Sequence, residues 1–168
     1  MKQGPRYHVK LRRRREGKTD HRKRLRLLRS GKTRIVVRNS LKNVRVQFAQ
    51  YNEDGDKIIA TAISNELISK YQWKHSTSTT PAAYLTGLLA GKRAMDKGIG
   101  EGVLDIGRQL PVKGSKNFAA LKGVLDAGIK CPYSNEKIPS EDRISGKHLN
   151  KEIMASVNDF KSKIIGGK

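Results

Sequence analysis

The spacing of apolar residues changes along the chain, and each change predicts a different kind of element. β-Branched residues follow one another at 33–38, and from Val44 to Phe48 apolar and polar side chains alternate, as in a strand with one buried face. A third β-rich run at 57–63 follows the turn sequence NEDG at 52–55. Three strands joined by short loops predict an antiparallel three-stranded meander.

Helical patterns follow the predicted strands. Thr79 or Thr80 is a candidate N-cap, and Pro81 favours the first turn of a helix. A short strand is predicted at 102–107, and Ser115 is a candidate N-cap for the next helix. A helix, a strand and a second helix after the meander predict an α/β fold.

The end of the chain carries a second helical pattern. Residues 131–147 are rich in Pro and in charge, which predicts a loop. After it, apolar residues recur at helical spacing, at Leu149, Ile153, Val157, Phe160 and Ile164. This spacing predicts a C-terminal amphipathic helix that packs on the core.

The beginning of the chain lacks such a pattern. Its first 20 residues have no sustained apolar period and are predicted to be extended or disordered when free. A short helix is predicted over 19–28, with Asp20 as its cap, and it should form more fully against a partner. We therefore divide the chain into a basic arm at 1–30, an α/β core at 31–130, and a loop with a packed C-terminal helix at 131–168.

Positive charge is concentrated in the arm and the first hairpin. Residues 2–45 contain 18 Lys or Arg and two acids, so this segment carries +16 of the formal net charge of +21. Neighbouring arginines cannot neutralise one another, and the segment holds few acids that could pair with them. Such a segment requires a polyanionic partner, and nucleic acid is the partner class that this charge indicates.

Cysteine content and apolar runs limit the compartment. The single cysteine, Cys131, excludes an intramolecular disulfide and a cysteine-cluster zinc site, and it favours a reducing compartment. The most apolar stretch, 81–90, has about half of the roughly 20 residues that a membrane-spanning helix needs. The N-terminus has charge but no apolar run after it, so it is not a secretory signal. We expect a cytoplasmic protein that does not bind a membrane.

Two glycine-containing fragments resemble nucleotide-binding motifs, and neither meets their physical requirements. The segment 87–93 is one residue too short for a phosphate-binding loop, and Arg93 replaces the hydroxyl that would bind magnesium. The alternative interpretation is a structural role, in which small residues let a helix approach a sheet. The glycines at 98–102 follow a helix and precede a strand, the reverse of a dinucleotide-binding order.

Metal chemistry is also poorly supported. The histidines lie far apart and lack ligand spacing, at His8, His21, His75 and His148. A metal-dependent nuclease using Asp54, Asp56 and Asp105 remains as an unfavoured alternative, because the first two belong to a turn that favours Asp for backbone reasons. We expect no metal, no cofactor and no catalytic residue, and hence no enzyme.

The chemistry of binding is better supported. Clustered guanidinium groups offer bidentate contacts to phosphate and planar faces to bases. Arg38, Lys42 and Arg45 surround the predicted first turn and extend the basic surface onto the core. The helix starts at 79–81 and 113–116 combine hydroxyls with free backbone N–H groups, which can bind phosphate or can be ordinary caps. A long irregular arm without recognition-helix or zinc-finger spacing favours folded RNA over DNA.

Five segments together carry a family resemblance: YHVKLRRRREGKTD at 7–20, RIVVRNS at 34–40, TPAAYLTGLLAG at 80–91, VLDIG at 103–107 and PVKGSKNFAALKGVLDAG at 111–128. They resemble the archaeal and eukaryotic-type 5S-rRNA-binding protein of the large ribosomal subunit, the eighteenth in the usual series. The resemblance runs in order from about residue 5 to 149. Residues after 150 match no pattern of the family.

The resemblance implies a non-catalytic protein that holds 5S rRNA in the central protuberance, with its arm reaching 23S rRNA and the fifth large-subunit protein as a neighbour. Charge and resemblance together give the candidate RNA contacts: Arg6, Lys10, Arg12, Arg13, Arg14, Arg15, Lys18, Arg22, Lys23, Arg24, Arg26, Arg38, Ser40, Lys42, Arg45, Thr79, Thr80, Lys113, Gly114, Ser115 and Lys116. A free basic RNA-binding regulator or chaperone is the other alternative.

Overall fold

A computed structural model describes residues 4–166 as a mixed α/β fold built around a four-stranded sheet, which confirms the predicted fold class. In chain order the elements are α1 (Arg12–Arg15), α2 (His21–Leu28), β1 (Arg34–Asn39), β2 (Val44–Gln50), β3 (Lys57–Ile63), α3 (Asn65–Tyr71), α4 (Thr80–Met95), β4 (Val103–Asp105), α5 (Lys116–Asp126), α6 (Glu141–Ser145) and α7 (Lys151–Gly166). A 3-10 turn, Asn135–Lys137, lies between α5 and α6.

The strands lie in the order β3-β2-β1-β4. β1 pairs antiparallel with β2, and β2 with β3, whereas β4 runs parallel to β1 at the edge. Side chains alternate in β2, as the sequence predicts, and also in β1, so that Ile35, Val37, Val46 and Phe48 are buried on the face covered by helices. In the described part of the chain no core helix covers the opposite face, and we call it the open face of the sheet.

The close packing of α4 on α5 depends on glycine. A Cβ added at Gly87 would overlap the carbonyl oxygen of Ala120 in α5, and one at Gly123 would lie 2.7 Å from the backbone nitrogen of Leu88. The glycines of α4 therefore admit a second helix, whereas the sequence-based interpretation named only a sheet; α4 also packs against β2 and β3. The glycines of the P-loop-like fragment are buried between helices and are inaccessible to a nucleotide.

The C-terminal helix α7 packs on the core as the helical spacing predicts. Val157, Phe160 and Ile164 are buried, whereas Leu149 precedes the helix and is exposed. The ring of Phe160 makes an edge-on contact with Trp73 at 5.2 Å between centroids. These contacts give the stretch after residue 150 a structural role.

Three short helices were not predicted. α1 is one helical turn within the stretch predicted to be extended, α6 lies within the predicted loop, and α3 follows β3 directly. α3 is capped at its C-terminus by Gln72, which adopts a left-handed conformation with φ of 59°. α3 and α6 each bury one side chain, Leu67 and Ile144, whereas α1 buries none. Burial of this kind helps short helices form, since isolated helices of their length are unstable in water.

Neither a membrane span nor a metal cluster is found in the described part of the chain. Between residues 4 and 166, no helix combines the length and the apolar character that crossing a bilayer requires. In the same range, no three His, Cys, Asp or Glu side chains are grouped to hold a metal ion.

Candidate nucleic-acid interface

The arm helix α2 begins at the predicted cap. The Asp20 carboxylate accepts hydrogen bonds from the backbone N–H groups of Arg22 at 3.0 Å and Lys23 at 3.2 Å. The N–H of Lys23 and then that of Arg22 hold the pKa of Asp20 below its usual range against the effect of desolvation. The cap fixes the start of α2, so that its cationic side chains extend from a defined helix.

Two contacts hold the arm against the core. Arg24 of α2 pairs with Asp56 at the start of β3, with 3.0 Å between Nη2 and Oδ2. Arg108, in the loop after β4, donates a hydrogen bond to the carbonyl oxygen of Gly17. α2 therefore lies beside the open face of the sheet.

A buried ionic network lies beneath this contact. Arg34 is 4% exposed and pairs with both Asp56, at 2.5 Å, and Asp105, at 3.1 Å. Asp105 also accepts hydrogen bonds from Arg38 Nη2 at 3.2 Å and from the backbone N–H of Gly107 at 2.8 Å. Charges buried this deeply need such partners.

The same network removes the support for a nuclease. Both Asp56 and Asp105 are neutralised by arginine, so their oxygens are not free ligands for a divalent cation. Asp54 lies exposed in the loop between β2 and β3. The three acids thus serve a loop and a structural network.

The arm cations fall into two groups. Some are held by neighbours, including Arg13, which donates to Thr19 Oγ1 at 2.8 Å, and Lys18, which pairs with Glu16 at 2.8 Å. Arg12 pairs weakly with Glu16 at 3.7 Å. The others are exposed and have no side-chain partner within residues 4–166, and we call them the free arm cations: Arg6, Lys10, Arg14, Arg15, Arg22, Lys23, Arg26 and Arg29.

The first hairpin continues the basic surface. Arg38 and Arg45 lie directly opposite each other on the open face, and only Arg38 has an acidic partner among the described residues. Lys42 is exposed in the turn. The Ser40 hydroxyl closes this turn, since it donates to Asn43 O at 3.0 Å and accepts from Asn43 N at 2.9 Å.

The start of α4 offers few exposed groups. The Thr79 hydroxyl accepts from the N–H of Ala82 at 3.4 Å and donates to Ser76 O at 3.1 Å. Thr80 is buried, and Pro81 has no N–H. This helix start therefore has the chemistry of an ordinary cap in the structure.

The start of α5 is similar. The N–H of Gly114 donates to Lys137 O at 3.0 Å, and the Ser115 hydroxyl is buried without forming the predicted capping hydrogen bond. Lys113 is exposed and Lys116 is partly exposed. At this site the lysine side chains are the groups that remain open to a phosphate.

Sequence reasoning missed three arginines with defined roles. Arg34 organises the buried network, Arg108 holds the arm, and Arg29 belongs to the free arm cations. The burial of Arg34 could not be predicted from the strand pattern, because arginine in a strand normally lies on the solvent-exposed face. The pairing of Arg108 joins residues 91 positions apart.

Comparison with known proteins agrees with the resemblance seen in the sequence. Residues 5–102 match the family described as ribosomal large subunit proteins 60S L5 and 50S L18. The large ribosomal subunit protein uL18 of Aeropyrum pernix is 54% identical over 149 residues, which cover 89% of this chain and 70% of that protein. The uL18 proteins of Korarchaeum cryptofilum and Desulfurococcus amylolyticus are 54% and 52% identical, with 89% of this chain and 76% of each protein covered.

Matches of this extent and identity agree with the expectation of a non-catalytic protein, because these relatives are structural parts of the ribosome. The five segments that carry the resemblance lie on the arm, on β1, on α4, on β4 and on the loop and helix of α5. The chain belongs to the family of large ribosomal subunit proteins 60S L5 and 50S L18.

Proposed function

We propose that this protein is a structural component of the large ribosomal subunit, where it binds 5S rRNA and attaches it to 23S rRNA in the central protuberance. The observation that carries the proposal is the set of eight free arm cations, exposed on a chain whose relatives are uL18 proteins. Charges without internal partners are available to neutralise phosphate, and phosphate neutralisation provides most of the affinity of such interfaces.

The remaining candidate contacts divide by exposure. Lys42, Arg45 and Lys113 are exposed and can meet RNA directly, whereas Thr80 is buried and would do so only after rearrangement. Arg24 and Arg38 each pair with an acid of the core and stay partly exposed to solvent. They therefore position the arm and the sheet and also face the RNA. We place the protein in the cytoplasmic ribosome beside the fifth large-subunit protein.

The test is binding of 5S rRNA across a salt series, with the full chain and with a variant lacking residues 1–30. Binding by full-length protein should weaken by several orders of magnitude between roughly 50 and 200 mM salt, as for ligands that neutralise six to ten phosphates. The shortened protein should bind more weakly and with a shallower salt dependence. Affinity independent of salt in both proteins would contradict the phosphate-driven mechanism.

A second measurement separates a ribosomal component from a free RNA-binding regulator. A component should co-sediment with large subunits after a high-salt wash, because many contacts hold it within the assembled particle. A loosely bound regulator should be lost in the same wash.

A further inference from the structure

A groove separates the arm from the open face of the sheet. Its volume is about 500 Å³, within the range of roughly 300–1,000 Å³ that is typical of small-molecule sites. The pair between Arg24 and Asp56 holds α2 at one side of the groove. The groove therefore exists because the arm is docked on the core.

The floor of the groove is apolar. Val36, Ala49 and Ile58 come from three neighbouring strands and lie on the same face of the sheet, as the pairing register shows. Ile58 is 45% exposed, so part of this floor has no protein cover. A flat apolar surface of this kind is suited to the face of a planar ring.

Polar groups that lack protein partners also line the groove. Gln47 lies opposite Val36 in the register, is half-buried, and its carboxamide makes no hydrogen bond within residues 4–166. Arg34 is more than nine-tenths buried, and its Nε has no hydrogen-bond partner among the described residues. The Gln47 carboxamide therefore keeps its donor and acceptor for a ligand in the groove.

The rim of the groove is cationic. Lys23 and Arg26 of α2 line it and belong to the free arm cations. The carboxylates that line the groove are already engaged, Asp20 by backbone N–H groups and Asp56 and Asp105 by arginine. An anionic group at the rim therefore meets unopposed positive charge.

We propose that this groove binds one unpaired nucleotide of the RNA, with its base on the apolar floor and its phosphate at the rim. The proposal rests on the proposed function and adds a base-binding site to it. Gln47 offers a donor and an acceptor to the edge of the base, as carboxamides do in base recognition. RNA-binding proteins commonly take up single unstacked bases in this way.

The first test uses the full chain and individual 5′-mononucleotides, with inorganic phosphate as the control ligand. Nucleotides should shift the methyl NMR signals of Val36 and Ile58 saturably, whereas phosphate should move only signals of the rim residues Lys23 and Arg26. Equal effects of nucleotides and phosphate on the floor methyls would overturn the proposal. This outcome does not depend on which RNA the protein binds.

The second test compares Gln47→Leu with Thr61→Leu. Thr61 lies opposite Gln47 on the same face but outside the groove, so both variants replace a polar side chain of this face with leucine. Gln47→Leu should weaken the nucleotide-induced shifts several-fold, and Thr61→Leu should leave them unchanged. Similar losses in both variants, with intact thermal unfolding, would contradict a role for the carboxamide.

Chemical probing of the complex with 5S rRNA links the groove to the RNA. The wild-type protein should protect one unpaired base that becomes reactive with Gln47→Leu, while backbone protections due to the arm persist. Absence of any protection by the wild type would count against the proposed function. The mononucleotide titration would still show whether the groove binds a nucleotide. Protection of the backbone without any base that responds to Gln47→Leu would overturn the groove proposal alone.

Discussion

Arg34 and Asp105 form a buried ion pair between the parallel strands β1 and β4, with 3.1 Å between Nη1 and Oδ2. The same guanidinium reaches Asp56 at the start of β3, and Asp56 in turn binds Arg24 of the arm. One buried arginine thus connects the edge of the sheet with the segment that carries most of the free cations.

The network should be essential for stability. Asp105→Asn removes the charge that faces Arg34 and Arg38, and we expect it to lower the free energy of unfolding by about 3 kcal/mol, as for other broken buried ion pairs. Urea denaturation measures the change. The matched control is Asp54→Asn in the exposed loop, which should change stability by less than about 0.5 kcal/mol. Equal effects of the two variants would show that the network contributes little.

The close approach of α4 and α5 predicts a sharp cost for one added methyl group. Gly87→Ala would place its Cβ against the carbonyl oxygen of Ala120, so the helices must separate. We expect a loss of about 1–3 kcal/mol or more, typical of overpacked cores. Gly100→Ala is the control, since no atom lies within 4 Å of its added Cβ. Thermal unfolding that leaves Gly87→Ala as stable as Gly100→Ala would contradict this packing.

Glu66 should make the stability depend on acid pH. Burial raises its pKa, but hydrogen bonds from Arg93, at 2.6 Å to Oε2, and from the N–H of Ile63 outweigh this effect and lower the pKa below 4.5. Because the folded state binds the proton less tightly, the stabilisation is complete above the unfolded pKa and is lost as the pH falls through the folded pKa.

The variant Glu66→Gln should therefore be less stable than wild type at neutral pH, and the difference should shrink in acid. Denaturation at several pH values between about 2 and 7 measures this convergence. A constant difference between the two proteins across that range would show that the ionised carboxylate is not responsible.

Because the free cations lie on the arm, we expect the loss of RNA affinity on removing a charge to depend on where that charge is removed. Replacing Arg14 and Arg15 with Gln should lower the affinity for 5S rRNA and reduce the slope of log affinity against log salt by about two. Replacing Lys70 and Lys74 with Gln changes the net charge equally on an exposed part of the core. If both double variants lose the same affinity, net charge alone determines binding.

The docking of the arm depends on Arg24 in particular. Arg24→Gln breaks the pair with Asp56, so hydrogen exchange of the α2 amides in the free protein should become faster. Arg22→Gln, on the same helix and without a side-chain partner in the described structure, removes the same charge and should leave exchange unchanged. Unchanged exchange in the Arg24 variant would mean that other contacts hold α2.

Local patterns were sufficient for much of this protein. A run of β-branched residues located β1, alternation located β2, Asp20 predicted the start of α2, and helical spacing from Val157 to Ile164 predicted α7. These features can be predicted from sequence because each arises from neighbouring residues. Strands have a period of two, an N-cap accepts hydrogen bonds from the first turn of its helix, and helical spacing places apolar residues on one face. The concentration of charge likewise required only counting, and it indicated the class of partner.

Tertiary structure decided which polar residues are available to a partner. Arg24 and Arg26 are both arginines of the same helix and cannot be told apart by sequence. Only Arg24 pairs with an acid, Asp56, which lies 32 positions away in the chain. Asp56 and Asp105 resemble catalytic acids until Arg34 is seen between them, and Gly87 has no evident partner until α5 lies against it. Sequence alone determined the fold class and indicated a polyanionic class of partner, because those inferences follow from local periodicity and total charge. The free cations and the groove required the tertiary structure, because pairing and burial depend on residues that only folding brings together.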